Sequence, residues 1–389
     1  MKRNLLIFLV LIIAASTMLA IALYVPNSLP AHSDFSALYN TDLALVNGIP
    51  IYDLEAVGTI AVKVSGIPAE NFFLARFPYP PWYALGTFFL GLLPAKAAAT
   101  LWFELNLVML LLSVWLLTHG WHGRLRLIAF PLALFFLPVL GALSVGQYDF
   151  PVLLGPSLLI YSLRKENATL TTLGAVLLTF KSHIGALILL AALTYLIVNR
   201  SNFGRRALRS ILIAGTLLFI AGFLADPAWP IAYPKMLLSY QGEGNVSSCS
   251  ECASLPVWLS RWFFDGSLST ATTIAMVLLA MLIGIFFARR IVLLRSPELL
   301  LTTALSITLL SSPYLYNYDF LLLLVPFAVL SGMESNLFRR IIVILCYLIP
   351  TIAIVLYGRD GNISLLLVTI LIIILLYSKA KVDVLALAS

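Results

Sequence analysis

The chain has 389 residues, 61% of them hydrophobic and only 11% charged, with a formal net charge of +7. Soluble globular chains carry about a quarter charged residues, so this composition excludes water as the main solvent. A mean hydropathy of +1.01 and repeated apolar runs of bilayer length indicate an all-α integral membrane protein. No polar stretch is long enough to fold separately, so residues 1–389 read as a single polytopic membrane domain.

The positive charge does not read as a nucleic-acid surface. Most of the 24 Lys and Arg lie in short connections or at the ends: Lys2-Arg3, Arg124 and Arg126, Arg164-Lys165, Arg200 to Arg209, Arg289 to Arg295, Arg339-Arg340, and Lys379 with Lys381. By the positive-inside rule these segments are cytoplasmic, with both termini, as in a multi-pass protein of a prokaryotic plasma membrane. The three cysteines make no metal signature: Cys249 and Cys252 fall in an outer loop as Cys-Ser-Glu-Cys, and Cys346 lies in an apolar run. A local disulfide is the simplest reading of the outer pair.

In chain order, residues 5–24 form the first span. The apolar run has span length and lacks a small-residue cleavage site, which argues against a removable signal peptide. Residues 25–79 are a first outer loop, long enough to suggest a function. Within it the Asp34 to Val46 stretch reads as a short interfacial helix stopped by Asn47-Gly48. Pro-rich sequence at 77–81 opens a short apolar helix closing at Pro94. Further apolar runs follow at 97–117, 127–145, 150–163, 168–180, 184–198, 208–224, 270–287, 299–310, 320–330, 341–357 and 363–377, with a second, aromatic-rich outer loop at 225–268. If every run crossed, the two basic ends would face opposite sides. Residues 81–93 are too short to span at 1.5 Å per residue, so they are expected to lie on the outer face, leaving about 12 transmembrane helices. The short runs beside Lys181 predict a helical hairpin turning at Lys181-Ser182-His183.

This topology places four polar breaks on one side: Asp34, Gly146-Gln147-Tyr148-Asp149, Lys181-Ser182-His183, and the stretch from Ser312 to Asp319. Ionisable groups at membrane depth usually face a cavity or a partner, and four together suggest a cleft. Asp34 is the candidate catalytic base, able to take a proton from an attacking hydroxyl; capping of the following helix, by Ser33 or by Asp34 itself, is the alternative. Lys181, His183 and Arg76 are candidate donor-phosphate ligands, against snorkelling or exposed loop positions. Gln147, Asn317, Tyr318 and Asp319, with Tyr39 and Tyr79, are candidate sugar or acceptor contacts. Asp319 reads equally as a helix cap or as the partner of Lys181. Glu104 reads as a paired interface residue. No metal site or cofactor is expected.

These motifs, in this order, carry a resemblance. Asp34-Phe35 with Tyr39, Asn47-Gly48 with Ile51-Tyr52-Asp53, Tyr79-Pro80-Pro81, Gly146-Gln147, Phe180-Lys181 and Ser312-Pro313 with Tyr318-Asp319 resemble glycosyltransferase family 87 over nearly the whole chain. The resemblance implies a C-type glycosyltransferase fold with interfacial helices in a large first outer loop. It also implies a polyprenyl-phosphate sugar donor, inversion at the anomeric carbon, and an aspartate base in the first outer loop, matching Asp34. Two departures bear on sugar identity: Ser182 follows the lysine where relatives often have proline, and Tyr318-Asp319 stands where characterised mannosyltransferases tend to carry histidines. The expected function is hexose transfer, mannose foremost, from a polyprenyl phosphate to a glycan or glycolipid acceptor at the outer face of the bilayer. A lipid-linked glycan flippase or transporter is the alternative, disfavoured because the two halves show no clear inverted repeat.

Overall fold

The computed structural model describes residues 2–29, 33–65, 74, 76–121, 123–243, 252–263, 278, 282, 296–312, 315–333 and 336–388. The expected span at 270–287, apart from 278 and 282, lies outside them, as do Cys249, Pro313 and Tyr314. Among the described residues the structure is helical, and the only β pairing is an isolated antiparallel bridge between Cys252 and Tyr316.

Helix α1 (Lys2–Ser28) is followed by three shorter helices: α2 (Asp34–Val46), α3 (Leu54–Ser65) and α4 (Pro81–Thr87), the last continuing as a 3-10 turn, Phe88–Leu92. Helix α2 ends at Asn47, with Gly48 at φ +71°, the left-handed conformation glycine adopts without a Cβ clash. Next come α5 (Ala95–Leu117), α6 (Gly123–Leu134), α7 (Leu137–Val145), α8 (Asp149–Arg164), α9 (Ala168–Leu178), α10 (Ser182–Asn199) and α11 (Asn202–Ala225). Two further helices follow, α12 (Trp229–Glu243) and α13 (Leu255–Phe263). The last third holds α14 (Pro297–Ser311), a 3-10 segment Asn317–Leu323 leading into α15 (Leu324–Met333), α16 (Leu337–Tyr357) and α17 (Ile363–Ala388).

Burial sorts these helices into an inner and an outer set. Helices α8 and α14 are buried on nearly every face, as expected of apolar helices surrounded by others. Helix α11 exposes Leu212, Leu217 and Leu224, and α16 exposes Val355 and Leu356, which suits a lipid-facing position. Without a hydrophobic drive between helices in lipid, close backbone approach through small residues matters more. At the α8–α9 contact a Cβ on Gly174 would stand 2.8 Å from the Gly155 carbonyl oxygen, so neither position accepts a larger side chain without separating the helices.

By length and composition, four runs among the described residues suffice to cross a bilayer: Ala95–Leu117, Ala168–Asn199, Asn202–Ala225 and Leu337–Ala380, with a fifth if a bent pair counts as one span. Two of these runs fold back on themselves. A Cβ on Gly185 would stand 3.0 Å from Leu178 Cα, although seven residues of straight helix would separate them by about 10 Å. This is the reversal expected at Lys181. Likewise a Cβ on Gly361 would stand 2.6 Å from Ile354 N, marking a turn between α16 and α17. The run expected as one straight span at 127–145 instead bends by 52° between Leu134 and Leu137. Pro138, in the first turn of α7, has no amide N–H to carry the helix through.

Residues 81–93, expected not to cross, form a seven-residue helix and a 3-10 continuation; the helix packs on α11 and α2, and the 3-10 turn on α2. The Tyr39 hydroxyl donates to the Leu93 carbonyl at 2.9 Å, and the Thr87 hydroxyl to Asp42 Oδ1 at 3.1 Å. Glu104, expected to be paired, is exposed and has no ion pair among the described residues. It lines a groove of about 540 Å³ on the outer face of α5, with Pro94, Lys96 and Thr100.

Candidate active site

Asp34, the first residue of α2, is held by a turn from mid-chain. Gln147 Nε2 donates to Asp34 Oδ2 at 2.8 Å. The amide orientation follows from its other end, where the Tyr148 backbone N–H donates to Gln147 Oε1 at 2.7 Å. A backbone N–H can only donate, so the oxygen must face it and the NH₂ must face Asp34. The Tyr148 hydroxyl donates to the Asp34 carbonyl, so one turn grips both the side chain and the backbone of Asp34. Ser33 is the N-cap residue of α2 but makes no capping bond; its hydroxyl turns back to the Leu29 carbonyl. The Asp34 carboxylate is half-buried.

The Gly146-Gln147-Tyr148-Asp149 turn is itself fixed from α5. Trp102 Nε1 donates to the Gly146 carbonyl at 2.8 Å, and Asn106 Nδ2 to the Gln147 carbonyl at 3.3 Å. Gly146 has φ +66°, and a Cβ there would lie 2.7 Å from Phe35 Cβ, so glycine serves both the turn and the close packing of α2. Tyr79 and Tyr148 meet edge to face at 4.8 Å, and Tyr52 donates to the Tyr79 carbonyl at 2.7 Å.

The second centre is the Lys181 turn. Lys181 Nζ lies 2.7 Å from Asp149 Oδ1 and 2.5 Å from Asp319 Oδ1, and all three side chains are buried. Asp319 Oδ2 accepts the Tyr316 backbone N–H at 2.7 Å, so Asp319 is both partner of Lys181 and anchor of its own segment. The Tyr318 ring centroid is 5.9 Å from Lys181 Nζ, and its phenol is within electrostatic reach of both Asp34 and Asp319. Helix α4 wedges against this turn: Tyr83 stacks on Phe180 at 4.4 Å, and Trp82 Nε1 donates to Thr179 Oγ1 at 2.9 Å. Ser182 and His183 are exposed, and the Ser182 and Tyr233 hydroxyls share a hydrogen bond at 3.3 Å.

Just before α13, Cys252 is disulfide-bonded and Ala253 N donates to the Leu315 carbonyl at 3.0 Å, seating this stretch on the segment that carries Tyr316 and Asp319. Cys346 is a free, buried thiol. Among the described residues no group of His, Cys, Asp and Glu is arranged to hold a metal ion.

Of the residues singled out on sequence, Asp34, Gln147, Tyr79, Lys181, Tyr318 and Asp319 belong to this connected constellation. His183 follows on the next turn. Arg76 is half-buried beside Phe77, whose ring meets Tyr79 at 5.2 Å. Asn317 is half-buried and makes no side-chain hydrogen bond among the described residues. Tyr39 packs in the outer-loop core, its hydroxyl engaged by Leu93. Sequence reasoning placed Tyr148 and Asp149 in one of the polar breaks without giving either a role, and it did not single out Trp102 or Asn106. The available signal was polarity: Asn106 and Asp149 are costly inside apolar sequence unless something binds them.

Inward-facing polar breaks in an apolar helical bundle, converging on a carboxylate oriented by an amide, define an integral membrane protein with a polar site at its helix ends. The chain belongs to glycosyltransferase family 87, whose model matches residues 77–313, and it is accordingly a membrane glycosyltransferase. No curated protein and no solved structure matches it. The matched range contains Tyr79, Gln147, Lys181 and His183; Asp34, Tyr39 and Arg76 precede it, and Asn317, Tyr318 and Asp319 follow it.

Proposed function

We propose that the protein transfers a hexose, mannose foremost, from a polyprenyl-phosphate donor to a glycan or glycolipid acceptor at the outer membrane face. The observation that carries this reading is the Asp34 carboxylate, half-buried and oriented by the Gln147 amide, in a chain of glycosyltransferase family 87. A fixed carboxylate at the end of the first helix suits a general base.

The reaction is a single displacement. The acceptor hydroxyl oxygen forms a bond to the anomeric carbon as the bond from that carbon to the phosphate oxygen breaks, inverting the centre. Asp34 takes the hydroxyl proton, and the polyprenyl phosphate leaves as an anion. Because that anion needs charge stabilisation rather than protonation, hydrogen-bond donors and cations replace a general acid. His183 and Arg76 fill this role, since Lys181 already balances two carboxylates. Asn317 and Tyr318, beside Tyr79, are suited to sugar hydroxyls and ring faces.

The test is transfer of radiolabelled mannose from polyprenyl-phosphate mannose by purified protein in lipid nanodiscs. Turnover that is lost in Asp34→Asn supports the assignment. Undiminished turnover in that variant removes Asp34 as the base, and transfer from a nucleotide sugar alone overturns the donor class.

A further inference from the structure

Lysine near a phosphate is the ordinary expectation in an enzyme with an anionic leaving group, yet the surroundings of Lys181 point elsewhere. Its ammonium lies 2.7 Å from Asp149 Oδ1 and 2.5 Å from Asp319 Oδ1, and the Tyr318 ring stands at 5.9 Å. Counted with both carboxylates ionised, the cluster carries one negative charge; with one proton shared, it is neutral. In neither state does it offer surplus positive charge to an anion. Among the described residues Asp149 Oδ2 is buried without a hydrogen-bond partner, so a phosphate beside it would meet a bare carboxylate oxygen. Like charges at such short range are unfavourable in a low-dielectric setting.

The same contacts explain a different role. Asp149 is the first residue of α8 and directly follows Gln147 and Tyr148, the residues that grip Asp34. Holding Asp149 fixes the downstream end of that turn, while Trp102 and Asn106 fix the upstream end. Asp319, through its second oxygen, fixes the segment bearing Tyr316 and Tyr318. Among the described residues Lys181 is the one group bonded to both aspartates, so three distant stretches of chain register against each other through it.

We propose that Asp149, Lys181 and Asp319 form a positioning hub: Lys181 sets the pose of the Asp34 carboxylate through the Gly146-Asp149 turn and does not bind the donor phosphate. This inference rests on the proposed transferase reading with Asp34 as base. Breaking a buried ion cluster by removing one partner is strongly unfavourable, whereas replacing all its charges with neutral groups is often tolerated. A phosphate ligand would behave differently, because deleting neighbouring carboxylates cannot replace a missing cation.

The experiment compares wild type, Lys181→Met and the neutral triple variant Lys181→Met/Asp149→Asn/Asp319→Asn in nanodiscs, using polyprenyl-phosphate mannose as the donor. The hub predicts a fall in kcat of about 100-fold or more in Lys181→Met, with donor KM changed less than about twofold. It predicts recovery of kcat in the triple variant to within about tenfold of wild type. A donor KM raised tenfold or more in both variants, with no recovery in the triple, overturns it. If Lys181→Met does not fold, the triple variant decides alone: a wild-type donor KM supports the hub and a raised one overturns it. Absence of wild-type turnover on this donor sinks the donor assignment instead. The hub is then judged by thermal unfolding, where a midpoint lowered in Lys181→Met and regained in the triple supports it, and a midpoint not regained overturns it.

Discussion

Gln147 holds Asp34 at 2.8 Å through a side-chain amide whose other end is locked by the Tyr148 N–H. Replacing that amide by a carboxylate tests whether Asp34 works as a base. In Gln147→Glu two carboxylates share the site, which raises the pKa of Asp34, so the base is protonated at pH values where the wild type is ionised. The acid limb of the kcat/KM profile is expected to move up by about one unit or more, with activity low at pH 6 and recovering above pH 8. In Gln147→Leu the orienting bond is lost without an added charge. Its rate is expected to fall about 10- to 100-fold, with the limb moved up less than in Gln147→Glu, because only a hydrogen bond to the ionised form is lost. A pH–rate profile for the two variants separates charge from orientation.

Gly146 joins a backbone requirement to a packing requirement. At φ +66° a side chain is strained, and Phe35 occupies the place a Cβ would take. Gly146→Ala is therefore expected to lower stability by about 1–3 kcal/mol and to displace α2 from the turn. Activity should fall further than stability, because Phe35 adjoins Asp34. Thermal unfolding and turnover of the same preparation give both numbers.

Trp102 reaches the same turn from α5. Trp102→Phe keeps the ring but removes the donor to the Gly146 carbonyl, at an expected cost of about 1–3 kcal/mol for a buried acceptor left without its partner. Because Trp102 and Gln147 act on one turn, the double variant with Gln147→Leu should lose less activity than the product of the single losses. Strict multiplicativity in that cycle would show that the two contacts act independently.

Much of this arrangement was legible in the sequence because it depends on local rules. Asn47-Gly48 stops α2, the run at 81–93 makes only a short helix, and polarity at Lys181 marks a reversal. The 52° bend before Pro138 had a signal in that proline, but hydropathy averaged over 127–145 hid it. Polar breaks on one side correctly pointed to a shared region, since buried ionisable groups need partners. Which partner each would take was not legible. Lys181 pairs with Asp149 and Asp319, 32 and 138 residues away, and only the packing of α8 against α9 and against the 3-10 segment carrying Asp319 decides that. The amide of Gln147 suits a sugar hydroxyl as well as a carboxylate, so residue type alone did not show it gripping Asp34.

Asp42 gives a prediction about stability rather than chemistry. It sits in α2, outside the long apolar runs, fully buried beside Thr87, with its Oδ2 lacking a hydrogen-bond partner among the described residues. Burial pushes its carboxyl well above the usual carboxylate range, and the Thr87 bond offsets only part of that. The folded state thus favours the protonated acid. Its stabilising contribution is fully present below the unfolded pKa of about 3.9 and is lost as pH rises through the higher folded value. Asp42→Asn fixes a neutral group of the same shape and removes that dependence. The difference in unfolding midpoint, variant minus wild type, is expected to be small near pH 4 and to grow positive toward pH 8. A difference that stays constant with pH, or turns negative on the alkaline side, would mean that Asp42 is stabilised as the ion.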